Sequence, residues 1–148
     1  MKYAEGRTGR IFILRLEQGD RIPEAIEGFA AEKGIEAAMV FFLGGAERGS
    51  KVVVGPEEGT ERGRPIGMIT ALTGISESVG FGTLFKNEEG FPRLHLHSAF
   101  GRERETVTGC TREGVEIWQI GEMVLMEILD TLAVRKLDPQ SGFELLEL

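Results

Sequence analysis

The apolar residues of this chain are gathered into short runs, and each run stops at glycine, proline or a cluster of charges. GRIFILRL (9–16), AAMVFFLGG (37–45), SKVVVG (50–55), IGMITALTG (66–74), SVGFGTLF (78–85), RLHLHSAF (93–100) and VEIWQI (115–120) share this form. Runs of that length, rich in β-branched and aromatic residues and bounded by turn formers, read as strands. EMVLMEIL (122–129) reads as a strand or a short helix, and AVRKL and FELLEL as short terminal strands. In the first run Ile11 and Ile13 alternate with Phe12 and Leu14, so apolar side chains occupy both faces and the strand is expected to be buried on both or nearly so.

Only one segment has helical spacing. In EQGDRIPEAIEGFAAEKG, residues Ile22, Ile26, Phe29 and Ala30 recur every three or four positions. Asp20 is placed to cap, Pro23 suits a first turn and Gly34 ends the segment. Its apolar face is expected to cover a sheet. Together these signals predict an α+β fold: a central, mainly antiparallel β-sheet with one or two covering helices, in a single compact domain over residues 1–148. A chain of 148 residues buries a real core without disulfide or metal staples. There is no repeat, linker or low-complexity tract.

Charge and cysteine usage narrow the partners. Seventeen basic residues against 24 acidic ones leave a net charge of −7, a surface that repels phosphate backbones unless its cations cluster. The single cysteine, Cys110, has no intramolecular disulfide partner. No apolar run approaches the length that spans a bilayer, and MKYAEGRTGR lacks the apolar core of a signal peptide. A reducing cytoplasm is the expected compartment.

The only two histidines, His95 and His97, stand one residue apart in RLHLHSAF. On a strand, residues i and i+2 share a face, so both imidazoles project together while Leu94 and Leu96 enter the other face. Two imidazoles at that spacing suit one divalent ion, which wants at least one more ligand. Cys110 is the candidate. If the strand turns back through GRERET as an antiparallel hairpin, a four-residue loop from Arg102 to Glu105 pairs Gly101 with Thr106 and hence His97 with Cys110 on one face. An odd loop sends the thiol to the wrong side. A His₂Cys set with an open position resembles catalytic zinc sites, and Glu122 or Glu77 is then a candidate proton carrier. Two other readings stand beside this one: a solvated strand face without chemistry, and a Cys110–His97 nucleophile pair.

RGRP, residues 62–65, matches the core of the AT-hook, in which Arg62 and Arg64 would enter the narrow minor groove of A·T-rich DNA. Glu57, Glu58 and Glu61 lie just upstream and favour a solvated turn instead. GGAERG and GFG lack the lysine and the strand–helix setting of a phosphate loop. Trp118 is expected in the core.

Taken in order, GRIFILRLEQGD with its Pro-Glu-opened helix, AAMVFFLGGAERG, ALTGI, LHLHSAFG and TGCTREGVEIWQIGEM resemble the plant and prokaryote conserved (PPC) domain family over nearly the whole chain. The resemblance implies an α+β fold with a mainly antiparallel sheet, a homotrimer, and a metal-ligand-like pattern of His-x-His followed by Gly-Gly-His. That pattern falls here on His95, His97 and Cys110, with TGC where relatives have Gly-Gly-His. Thiolate replaces imidazole, and both are good zinc ligands. Where many relatives have a glutamate before the ALTG-like strand, this chain has Met68. Two functional expectations follow. The first is a trimeric cytoplasmic protein holding a divalent metal, zinc, through His95, His97 and Cys110. The second is a DNA-binding or regulatory module using Arg62 and Arg64, with Arg102, Arg104 and Arg112 in support.

Overall fold

A computed structural model of the chain describes residues 1–148. Its framework is one antiparallel sheet built from β1 (Arg7–Glu17), β3 (Ala37–Ala46), β4 (Lys51–Pro56), β5 (Gly67–Ala71), β6 (Ser76–Lys86), β7 (Pro92–Arg102), β8 (Glu105–Cys110) and β9 (Val115–Leu129). They lie in the order β1-β9-β3-β6-β7-β8-β4-β5, and the two-residue β2 (Arg21–Ile22) pairs with β9. A separate hairpin, β10 (Val134–Leu137) with β11 (Glu144–Glu147), follows the main sheet.

The single helix, α1 (Glu24–Lys33), makes this a sheet-dominated fold with one covering helix rather than two. Pro23 occupies the cap position with no side-chain bond. Asp20 does not cap it; its carboxylate accepts the Glu17 N–H at 2.8 Å instead. Gly34 does end the helix, at φ 64, the left-handed conformation that glycine adopts without steric cost. Ile26 and Ala30 are buried, and Phe29 meets the Phe12 ring edge-on at 5.3 Å.

The core lies between this helix and one face of the sheet, where Leu16, Val40, Phe42, Leu84, Leu94, Leu96, Met123 and Leu125 pack with Ile26 and Ala30. VEIWQI and EMVLMEIL prove to be one 15-residue strand, β9, with a register break against β3 between Gly44 and Gly45. The strands come so close there that a Cβ on Gly44 would lie 2.6 Å from the Gly121 Cα, which explains glycine at position 44. Trp118, expected in the core, is half-buried on the near side of this break, against Gly45.

The other face differs from expectation. Directly paired residues share a face, so Ile13, Val124, Phe41, Phe81 and His97 form one row across β1, β9, β3, β6 and β7. Ile13 is 84% exposed and Phe81 50% exposed, and Ile11, Leu43 and Val79 on flanking rows are exposed as well. β1 is therefore buried on one face only, and the sheet presents a continuous apolar surface that ends at the histidines.

Candidate metal centre

Strand alternation puts His95 and His97 on the same face of β7, with Leu94 and Leu96 buried on the other. The hairpin to β8 is one pair longer than expected: Arg102 pairs with Glu105, leaving Glu103 and Arg104 as a two-residue turn with Glu103 at φ 58. The even loop keeps the parity, so Gly101 pairs with Thr106 and His97 with Cys110. After Cys110 the chain leaves the ladder in a 3-10 turn, Thr111–Glu113, whose Thr111 hydroxyl donates to the Leu96 carbonyl at 3.2 Å. The β7 edge upstream of His97 is thus unpaired, and the Glu27 carboxylate of α1 takes the Leu94 N–H at 2.9 Å.

One ligating atom from each of His95, His97 and Cys110 falls within 4.8 Å of the others, and the two imidazole Nε2 atoms are 3.0 Å apart. A tetrahedral zinc site needs nitrogen and sulfur donors roughly 3.3–3.7 Å from one another, given bond lengths of about 2.1 and 2.3 Å. The donor set fits such an ion in chemistry, and its separations, 3.0 Å between the imidazoles and at most 4.8 Å within the set, bracket that range, so small side-chain rotations bring the donors to it. Cys110 is 3% exposed, while the histidines keep solvent-accessible edges. The His95 ring is nevertheless packed into a cavity wall, and that burial, reinforced by the positive charges of Arg135, His97 and Arg112, pushes it down to about 4. At neutral pH it is an uncharged imidazole with a lone pair to offer.

The cluster lines a cavity of about 840 Å³ walled by the start of α1, by Arg93 and Leu94 of β7, by Arg112, by Thr83 and by the β10–β11 hairpin. Glu122 and Glu77 are not in it. Glu122 pairs with Leu43 and Arg15, and Glu77 pairs with Gly101 at the far end of β7. The carboxylates that line it are Glu24, Glu27 and Glu144. Burial raises Glu27 above the usual carboxylate range, partly opposed by the Leu94 N–H and Arg93. Arg93 spans Glu27 at 3.6 Å and Glu144 at 3.4 Å. These cavity residues escaped sequence reasoning, with one legible clue: Arg93 precedes His95 by two and therefore shares its face. Glu27, Arg135 and Glu144 come from a helix and a tail hairpin whose docking no local pattern encodes.

Arg62 and Arg64 lie on the exposed loop between β4 and β5, apart from this cavity. The Arg64 guanidinium rests against Gly142 in the β10–β11 turn, where an added Cβ would meet its Nε at 3.0 Å. Arg102 donates to the Ile75 carbonyl at 2.9 Å, and Arg104 is exposed.

The sequence profile of the Plants and Prokaryotes Conserved (PCC) domain matches residues 3–129. The chain belongs to this family. Solved structures agree with the assignment. A metal-containing protein from Archaeoglobus fulgidus superposes with TM-score 0.85 at 25% identity, over 100% of both chains. The plant- and prokaryote-conserved protein of Pyrococcus horikoshii gives 0.78 at 23%, again over 100% of both. A candidate DNA-binding protein from Ralstonia eutropha gives 0.72 at 19%, over 92% of this chain and 90% of that one. No curated protein matches the sequence. The PCC profile stops at residue 129, so the hairpin β10–β11 that walls the cavity lies outside the matched region. No helix of this PCC protein is long and apolar enough to cross a membrane.

Proposed function

We propose that this PCC protein is a cytoplasmic homotrimer that holds a divalent metal ion, zinc, through His95, His97 and Cys110. The observation that carries the reading is the convergence of the chain's only two imidazoles and its only thiol within 4.8 Å. The neutral state of His95 supports it, because a metal competes with protons for the same lone pair. So does the likeness to the metal-containing Archaeoglobus fulgidus protein. A reducing compartment keeps the Cys110 thiol free as a ligand. Zinc held by these three residues would supply Lewis acidity, and three protein ligands are the number that catalytic zinc sites use.

Trimer formation draws its support from the uncovered apolar face of the sheet. A contiguous apolar surface through Ile13, Phe41 and Phe81 is unusual on a soluble monomer and is expected to be covered by further copies of the chain. The patch runs into His97 through its pairing with Phe81, which supports a metal centre close to the boundary between copies.

The experiment is metal analysis of protein purified without an affinity tag, beside a His95→Ala/His97→Ala variant. About one zinc ion per chain is expected in the parent and almost none in the variant; equal metal content in the two would end the proposal. The competing reading, DNA binding through Arg62 and Arg64, rests on two exposed cations flanked by three glutamates in a protein of net charge −7. It predicts salt-sensitive retention on A·T-rich duplex that Arg62→Ala/Arg64→Ala abolishes, and the metal reading predicts no retention.

A further inference from the structure

Beside the donor cluster the cavity holds three guanidinium groups, and only one of them is neutralised at close range. Arg93 is clamped between Glu27 and Glu144. Arg135 is 6% exposed and forms no ion pair within 4 Å; its Nε donates to the Arg93 carbonyl at 3.3 Å and its Nη2 to the Thr83 hydroxyl at 3.1 Å and carbonyl at 3.4 Å. Its Nη1 makes no hydrogen bond within the chain, and Arg135 lines the cavity. Arg112 has no carboxylate partner either, and its guanidinium lies 5.0 Å from the centre of the Phe143 ring.

A guanidinium does not shed its proton, so Arg135 keeps a buried charge surrounded by neutral acceptors, an arrangement that is costly without an anion. Glu144, Cys110 and Glu27 act on Arg135 only at longer range, and Glu144 is further engaged by the Asn87 amide at 3.1 Å. A divalent ion on two neutral imidazoles and one thiolate leaves a single positive charge beside these two arginines. The apolar part of the wall is Pro23, Leu94, Phe143, Leu145 and Leu146; of its three carboxylates, Glu27 and Glu144 are taken up by Arg93, and Glu24 is exposed at the start of α1. About 840 Å³ is a volume suited to an organic molecule rather than to an inorganic ion.

We infer that the cavity is a binding site for a small organic carboxylate, whose carboxylate group is held by Arg112 and Arg135 next to the His95–His97–Cys110 cluster and whose apolar body lies against Phe143 and the leucines. This deepens the metal-binding reading by naming the class of ligand that the same site admits. The carboxylate accepts hydrogen bonds from the Arg135 Nη1 and the Arg112 guanidinium, and two charge-assisted donors recognise it over a neutral isostere. Inorganic phosphate would gain the charge term without the apolar contact.

Calorimetric titration with sodium benzoate, benzamide and inorganic phosphate tests this on the full chain, metal-free and loaded with cobalt(II), whose visible absorption reports on the donor cluster. Benzoate should bind saturably, at least tenfold tighter than benzamide or phosphate, and should change the cobalt spectrum. Arg112→Gln, an exposed substitution, should weaken benzoate at least tenfold with the benzoate-free cobalt spectrum unchanged. Arg135→Lys, which keeps a charge at the buried position, should weaken it too. Absence of benzoate binding, equal binding of benzamide, phosphate binding as tightly as benzoate, or an Arg112→Gln variant of parent affinity would each overturn the assignment. Failure to take up cobalt would instead sink the metal reading, since the metal-free titration still reports on the arginines.

Discussion

His97 and Cys110 face each other directly across the β7–β8 ladder, whereas His95 reaches the same point from two residues along its own strand. The thiol is the buried member of the set, and it sits between β7 and β4 through its further pairing with Val53. Its position therefore owes as much to β4 as to the hairpin that carries it.

Cys110→Ser should retain the fold, because serine is slightly smaller than cysteine and the site borders a cavity. Loss of the thiolate should lower zinc affinity by about 100-fold or more, since even outer-shell changes at such sites cost up to that much. The check is competition against a coloured chelator. The cobalt form should also lose its near-ultraviolet sulfur-to-metal charge-transfer band. A band that survives the substitution would remove Cys110 from the ligand set.

Phe81→Glu tests the apolar face. Phe81 meets the Phe41 ring edge-on at 5.3 Å, and both are exposed in the single chain, so a carboxylate there is tolerated by an isolated protomer and not by a packed interface. The mass from light scattering should fall from three chains to one chain of 16.3 kDa, with far-ultraviolet circular dichroism unchanged. A parent protein already at monomer mass would refute the trimer.

Acid sensitivity should centre on Glu127. Its buried carboxylate accepts the Arg10 Nε at 2.8 Å, Nη2 at 2.6 Å and backbone N–H at 3.0 Å, and these bonds hold it down to about 2 from an ordinary value of 4.5. A depressed carboxylate contributes stability above its unfolded value and loses it as the pH falls toward the folded one. Glu127→Gln should therefore be less stable than the parent in urea at pH 7. The difference should shrink between pH 4.5 and pH 2. A difference independent of pH would assign the effect to packing.

Ser98 lies beneath the histidine face, 1% exposed, and its hydroxyl has no hydrogen-bond partner in the chain. Ser98→Ala removes a desolvated, unsatisfied group and should leave stability unchanged or raise it by up to about 1 kcal/mol, read as an increase in Tm. A loss above about 1 kcal/mol would mean that a bound water satisfies the hydroxyl.

Much of this architecture is legible in the sequence because it depends on local rules. Alternation in RLHLHSAF is enough to put two imidazoles on one face, and the glycine after Lys33 ends the helix, whereas the side that Cys110 takes depends on an even turn after Arg102 that no turn signature in GRERET fixes. Long-range relations resist the same treatment. Ile11 and Ile13 read as buried because strand composition does not reveal whether a face is covered by the same chain or by another copy. Glu122 and Glu77 are carboxylates on the sheet like any other until cross-strand order is known, and that order sets them apart from the cavity. Arg135 is invisible as a site residue, because a short tail strand in AVRKL says nothing of where the tail docks.

The hairpin formed by β10 and β11 supplies Arg135, Phe143, Glu144, Leu145 and Leu146 to the cavity, while every donor atom of the cluster comes from β7 and β8. The proposed guest would therefore be held from two stretches of polypeptide, with Arg112 fixed beside the sheet and Arg135 and most of the apolar wall carried by the tail. Grafting a relative's tail onto this scaffold should alter which guest is admitted while His95, His97, Cys110 and Arg112 stay in place, so the last twenty or so residues would tune the cavity without disturbing the cluster.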